Sequence, residues 1–186
     1  MEVVRFKGLE VAYRRRGEGP PLVFVHGATG ESRAWEPQLE GLADEFTVVA
    51  WDEPGAGGSS DLPTVFILED YADALAAVIE DVGLGPAHVA GLSWGGTVVL
   101  ELYRRRPELV LTLLLVDTYA GWKGSLPAEE AQARVAGVEA MLAAPAGEVP
   151  SCCPACSPAT RPPSSARCSR RSLGRSAPRR SGTRRG

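Results

Sequence analysis

The sequence predicts an α/β fold, a mostly parallel central sheet with helices on both faces. Two observations carry that reading. Strand-like and helix-like segments alternate along the first 142 residues, the order that strand-helix-strand crossovers generate. Several of the strand-like runs are also continuously apolar, as strands covered on both faces must be.

The elements follow in order. Val3 to Arg15 alternates around Gly8 and predicts a β-hairpin. Leu22-Val23-Phe24-Val25 is a continuous apolar run, hence a buried strand, and a helix with Trp35, Leu39 and Leu42 on one side follows it. Phe46 to Trp51 is the next strand. From Phe66 to Val82 the positions Leu68, Ala72, Leu75, Ile79 and Val82 recur at helical spacing, and Gly83 supplies the stop. His88-Val89-Ala90 leads as a strand into a glycine-rich turn, and Gly96 to Arg106 predicts a helix ending before Pro107. Arg104, Arg105 and Arg106 stand there against the negative end of the helix dipole. Leu111 to Val116 predicts a fourth buried strand. Pro127 to Leu142 predicts one more helix, with Glu129 and Glu130 in its first turn and Ala131, Val135, Val138 and Leu142 on one face.

The composition breaks near Val149. Residues 1 to 150 hold all 23 acidic residues and 11 of the 20 basic ones, whereas 151 to 186 hold nine arginines, no acid, all four cysteines and one large aliphatic residue, Leu173. Such a segment cannot bury enough apolar surface to offset its ordering entropy, so a disordered basic tail is expected. The arginines come without aromatic or amphipathic partners, so no nucleic-acid partner is expected. Cys152, Cys153, Cys156 and Cys168 lack the second pair or nearby histidine that a zinc site needs, which leaves metal: none as the expectation. With cysteine confined to the tail and no apolar signal core or membrane-length run, a cytoplasmic protein without a membrane partner is expected. Oligomeric state has no signature here.

Four apolar runs end in polar or glycine-rich signals: His26-Gly27, Asp52-Glu53-Pro54-Gly55, Ser93-Trp94-Gly95 and Asp117. In a parallel α/β sheet, functional groups collect beyond the carboxyl ends of the strands. Gly91-Leu92-Ser93-Trp94-Gly95, between a strand and a helix, has the form of a sharp turn that lifts a serine hydroxyl off the sheet. Strand and helix then approach so closely that Gly91, Gly95 and Gly96 leave no room for side chains. The Trp94 N–H opens the following helix and suits a developing oxyanion, and the loop His26-Gly27-Ala28-Thr29-Gly30 offers a second donor at Ala28. A tight structural turn or a phosphate loop is the competing reading. A dinucleotide fingerprint, however, needs glycine where Ser93 stands, and a Walker lysine is absent.

Together, Val25-His26-Gly27, Asp52-x-Pro54-Gly55-x-Gly57-Gly58-Ser59 and Gly91-Leu92-Ser93-Trp94-Gly95-Gly96 resemble the α/β-hydrolase superfamily over residues 3 to about 142. The resemblance implies Ser93 as nucleophile, an oxyanion hole from the Ala28 and Trp94 amides, His26 and Gly27 as loop support, no cofactor, and a small-molecule substrate. It implies a structural turn around Asp52, without a catalytic role, and a lid beginning within 127 to 142. The domain reading is residues 1–120 as the N-terminal part of the core, 121–149 as the start of the lid and 150–186 as the tail. Trp51, Trp94, Tyr119 and Trp122 would suit an apolar pocket, although residues so placed are more often core or lid packing. The expected reaction is hydrolysis of an ester-like or lactone bond through an acyl-serine.

The departure from the family is the missing base. No histidine follows Ser93, so the expected last strands with their acid and histidine are not visible. His88 lies five residues before Ser93 on one strand, on the order of 16 Å away, and Asp117 is the possible alternative acid. The alternative reading is therefore an inactive, truncated or frameshifted hydrolase fragment with an apolar unpaired sheet edge. Arginine, serine, proline and cysteine crowding without acids is what a GC-rich frame yields when shifted. Reading common codons for Cys152 to Ser157 from the third base of codon 151 gives Leu-Leu-Pro-Gly-Leu-Phe, a lid-like sequence. The nucleotide sequence is expected to change frame near codon 150; an uninterrupted frame through the same tail in close relatives would overturn this.

Overall fold

The chain is described by a computed structural model covering residues 1–119 and 126–143, with backbone alone at 138 and 141–143. Two compact units divide it, Met1–Gln132 and Ala133–Gly186. The first unit contains a six-stranded sheet in the order β1-β2-β4-β3-β5-β6.

β1 (Glu2–Phe6) and β2 (Leu9–Arg16) form the expected hairpin. Lys7 and Gly8 both take positive φ, 47° and 85°, the combination whose twist matches the flanking strands. β2 then pairs antiparallel with β4 (Thr47–Trp51), which runs parallel to β3 (Pro21–Val25). β3 runs parallel to β5 (Ala87–Leu92), and β5 to β6 (Val110–Val116).

Alternation along the strands sorts the core into two layers. Val23, Val25, Val49, Trp51 and Val89 face α2 (Leu68–Val82) and α3 (Trp94–Arg105), which bury Leu75, Ile79, Val98 and Leu102 against them. Phe24, Val48, Ala50 and Ala90 face the other way, toward Trp35, Leu39 and Leu42, carried by a 3-10 turn (Ser32–Trp35) and α1 (Glu36–Gly41). Each fully buried Leu, Ile or Val contributes about 1.5–3 kcal/mol, so the two layers hold the sheet from both sides. Helices on both faces are as the sequence predicts.

Local chemistry sets the helix ends. Asp70 accepts the Ile67 N–H at 3.1 Å in front of α2, and Gly83 closes that helix at φ 73°. Arg105 at the end of α3 makes a two-pronged ion pair with Asp73 of α2, 3.0 Å in each prong, so the arginine triplet joins two helices as well as capping one. α3 begins at Trp94, two residues before the predicted Gly96, because Ser93 alone completes the turn from strand to helix.

β6 departs from the expectation of a buried strand. Leu111, Leu114, Leu115 and Val116 are exposed, Leu114 by 59%, since β5 is its only neighbour among the described residues. α4 (Ala128–Ala143) starts in the first unit at the predicted helix, and in the second unit its Val135 is exposed.

The order β4-β3-β5 makes β3 the switch point: the chain leaves it toward β4 on one side and returns through α2 to β5 on the other. The carboxyl ends of these three strands therefore open into one crevice. Asp52 braces the β4 end. It is buried, its Oδ1 accepts the Ser32 N–H at 2.6 Å and its Oδ2 the Gly58 N–H at 2.8 Å, while its carbonyl accepts the Ser59 hydroxyl at 2.6 Å. Asp52→Asn turns one acceptor into a donor facing an N–H. It is expected to cost about 2 kcal/mol in urea unfolding at pH 7, against little change if the carboxylate were not bracing these loops.

Candidate active site

Ser93 stands between the end of β5 and the first residue of α3 with φ 51° and ψ −116°, a conformation that costs a non-glycine residue on the order of 1–3 kcal/mol. The neighbourhood enforces it. A Cβ on Gly91 would lie 2.6 Å from the Gly96 Cα, one on Gly95 would lie 2.5 Å from the Val25 carbonyl oxygen and strike that of His26, and one on Gly96 would strike the Thr118 side chain. The Ser93 N–H donates to the Val116 carbonyl at 2.9 Å, so the strand pairing consumes it. The Trp94 N–H, first in its helix, has no acceptor within that helix.

The loop after β3 lies against this turn. A Cβ built on Gly27 would sit 3.6 Å from the Ser93 Cβ and 3.6 Å from the Leu92 carbonyl oxygen. The Gly30 N–H closes the loop onto the Gly27 carbonyl at 2.8 Å. Ala28 at its tip is exposed, and among the described residues its N–H has no partner.

His26 is buried, and both ring nitrogens are occupied. Nδ1 lies 2.8 Å from the Gly27 carbonyl oxygen and Nε2 accepts the Glu53 N–H at 3.2 Å. That pattern requires the neutral ring with its proton on Nδ1, and burial holds the imidazole below the ordinary histidine range. These two bonds tie His26 to the loop and leave it no lone pair for Ser93.

Glu53 has no assigned role in the sequence reading. It is only 7% exposed, and its Oε2 accepts the Trp94 indole N–H at 2.9 Å. Burial pushes its carboxyl up to about 7, with the indole hydrogen bond opposing part of that rise. Trp94 also meets Tyr71 edge-to-face, ring centres 5.7 Å apart, and Tyr71 meets Phe66 at 4.7 Å. A charged residue after a strand reads as a solvated loop acid. Its burial depends on Tyr71 and Trp94, brought in by two later helices, so the local sequence holds no signal for it.

The other predicted residues spread out. Asp117 ends β6, exposed, with φ 48°; the next residue, Thr118, reaches the Gly91 carbonyl at 3.4 Å, so the β6 end adjoins the Ser93 turn. Trp51 is completely buried in the core, not in a pocket, because it shares the parity of Val49. The Tyr119 carbonyl accepts the Thr97 hydroxyl at 3.1 Å. Trp122 and the four cysteines lie outside the described residues. His88 contacts the Thr112 hydroxyl at 2.8 Å and lines a groove of about 430 Å³ with Leu22, Phe46 and Leu114, at the opposite, amino ends of the strands. Among the described residues, no three His, Cys, Asp or Glu side chains converge as a metal site requires, and no helix is long and apolar enough to cross a membrane.

A family profile for the alpha/beta hydrolase fold matches residues 20–144. The (E)-2-((N-methylformamido)methylene)succinate hydrolase of Acinetobacter baylyi is 34% identical over 105 residues, 56% of this chain and 40% of that enzyme. Among solved structures, a thermophilic esterase from Thermogutta terrifontis superposes with TM-score 0.66 at 32% identity, over 76% of this chain and 53% of its own. Est816, described as an N-acyl homoserine lactone degrading enzyme, does so with TM-score 0.66 at 27% identity, over 71% and 51%. The chain thus spans about half the length, or less, of the relatives it matches.

The raised Glu53 carboxyl makes stability depend on pH. The unfolded chain loses this proton near 4.5 and the folded chain near 7, so stability falls as pH rises between these values and is flat above. A displacement of this size corresponds to about 3 kcal/mol. Glu53→Gln is expected to be more stable than wild type by up to that amount at pH 8, with the difference gone at pH 4.5, in thermal melts across that range.

Proposed function

The chain belongs to the alpha/beta hydrolase fold family, and on that premise we propose that it acts on an ester-like or lactone bond of a small, mainly apolar substrate through an acyl-serine. The observation that carries this is the Ser93 turn: a serine with strained backbone between the end of β5 and the start of α3, placed where a Cβ on Gly27 of the β3 loop would touch its own Cβ. Given a base to take its proton and return it to the departing alcohol, the Ser93 oxygen attacks the carbonyl carbon. The Ala28 and Trp94 main-chain N–H groups receive the negative oxygen of the tetrahedral intermediate, which collapses to the acyl-serine as the alcohol leaves, and water then releases the acid. The aromatic cluster of Phe66, Tyr71 and Trp94 next to Ser93 favours an apolar acyl or alcohol group. The esterase and lactone-degrading likenesses point to the same bond class.

The proton of Ser93 needs an acceptor. His26 is committed on both nitrogens and His88 sits at the far end of its strand, while Asp117, at the neighbouring strand end, is the remaining candidate acid. This inventory favours a second reading for the chain by itself: a site that binds and positions a substrate with turnover about a millionfold below that of a complete serine triad.

Both readings meet in one experiment. A fluorophosphonate probe is expected to label wild type and not Ser93→Ala, and hydrolysis of a short-chain nitrophenyl ester is expected to gain an imidazole-dependent component in wild type alone. Labelling that survives in Ser93→Ala, or is absent from wild type even with imidazole present, overturns the assignment of Ser93, whereas labelling absent only without imidazole supports the second reading. Appreciable Ser93-dependent turnover without imidazole overturns the second reading.

A further inference from the structure

We propose that Glu53 is the positioning residue of the oxyanion site, holding the loop after β3 through its main chain and the first residue of α3 through its side chain. This rests on the reading of Ala28 and Trp94 as oxyanion donors. The two donors come from segments far apart in the chain, and one residue touches the support of each. The Glu53 N–H fixes the His26 ring at Nε2, and that ring in turn engages the Gly27 carbonyl, one residue before Ala28. The Glu53 carboxyl, at the other end of the same residue, takes the indole N–H of Trp94 at 2.9 Å.

The indole is gripped twice, by Glu53 at its nitrogen and by Tyr71 in a T-shaped ring contact. A side chain held at two points fixes the orientation of its own Cα, and Trp94 is the residue whose backbone N–H opens α3. A glutamate is suited to this position because its reach spans from the end of β4 to the tip of the indole. A carboxyl also accepts from an N–H whether protonated or not, more strongly when charged.

The groups around it leave its titration separable. His26, at the end of β3, is neutral and titrates on the acid side of the ordinary histidine range. Asp52, its neighbour just after β4, has both oxygens engaged by the Ser32 and Gly58 amides. Tyr71 of α2 is pushed up, first by burial and then by the Glu53 charge, and α3 presents only the uncharged Trp94. A transition near neutral pH at this place therefore belongs to Glu53.

The test uses the full chain labelled with nitrogen-15, the Trp94 indole signal being identified by its loss in Trp94→Phe. In wild type the indole N–H signal is expected to shift with a midpoint about 7, and the backbone amides of Trp94 and Ala28 are expected to follow the same midpoint. Glu53→Gln, which keeps an acceptor but cannot titrate, is expected to abolish all three transitions. Glu53→Leu is expected to slow fluorophosphonate labelling of Ser93 on the order of 10–100-fold, with Glu53→Gln restoring it. Backbone amides of Trp94 and Ala28 that ignore pH in wild type, or that keep their midpoint in Glu53→Gln, overturn the proposal, as does a Glu53→Leu protein labelled at the wild-type rate. If wild type is not labelled at all, the nucleophile reading fails, and the amide titrations still decide the role of Glu53.

Discussion

The site depends on how closely α3 can approach β5. Ser93 reverses the chain in a single residue, and that is possible only because three glycines remove every atom that would hold strand and helix apart. The same contacts reach beyond the turn. Gly95 lies against the Val25 and His26 carbonyls, which fixes the end of β3 to the start of α3, and Gly96 lies against Thr118, which fixes the end of β6. Three parallel strands are thereby gathered at one point, and a methyl group on Gly91, Gly95 or Gly96 would separate one of them from the turn.

This constraint explains what was legible in the sequence. A close approach restricts residue types, so Gly91, Ser93, Gly95 and Gly96 announce the turn. The β-hairpin and the buried strands announce themselves by their periods, since alternation and continuous apolar runs follow from which faces are covered. Leu111 to Val116 shows the limit. An apolar run reads the same whether or not neighbours cover it, and the solvent exposure of Leu114 depends on elements beyond the run. Trp51 shows how parity decides between two open readings: a strand end suits a pocket or the core, and its two-residue spacing from Val49 assigns it to the layer under α2 and α3. Glu53 was illegible for another reason. What buries it comes from two helices that the residues around it cannot foretell.

The acid-base inventory is a matter of hydrogen-bond capacity. A neutral imidazole has one donor and one acceptor, and His26 spends both, on Gly27 and on Glu53. Taking a proton would convert Nε2 from acceptor to donor against the Glu53 N–H, with burial adding to the cost. Its loop would have to release for it to act as a base, and that loop carries Ala28. Structural support and proton transfer exclude one another at this position.

Natural sequences keep local rules except where function or strain overrides them. The exceptions here are not scattered. Of the three non-glycine residues with positive φ among the described residues, Lys7 is accounted for by its hairpin, and Ser93 and Asp117 end the adjacent strands β5 and β6. The buried His26, Asp52 and Glu53 end β3 and β4. Each of these costs stability by itself, through desolvation or backbone strain, and each is compensated only by bonds to the others or to the loops they hold. At the amino ends of the same strands, among the described residues, the Thr47 hydroxyl is buried and donates to the Gly19 carbonyl at 2.9 Å, while His88 is partly exposed with a neighbouring strand's threonine as its partner. Strain and buried polar groups thus gather at the end of the sheet where the proposed site lies, although the chain could have placed ordinary turns there.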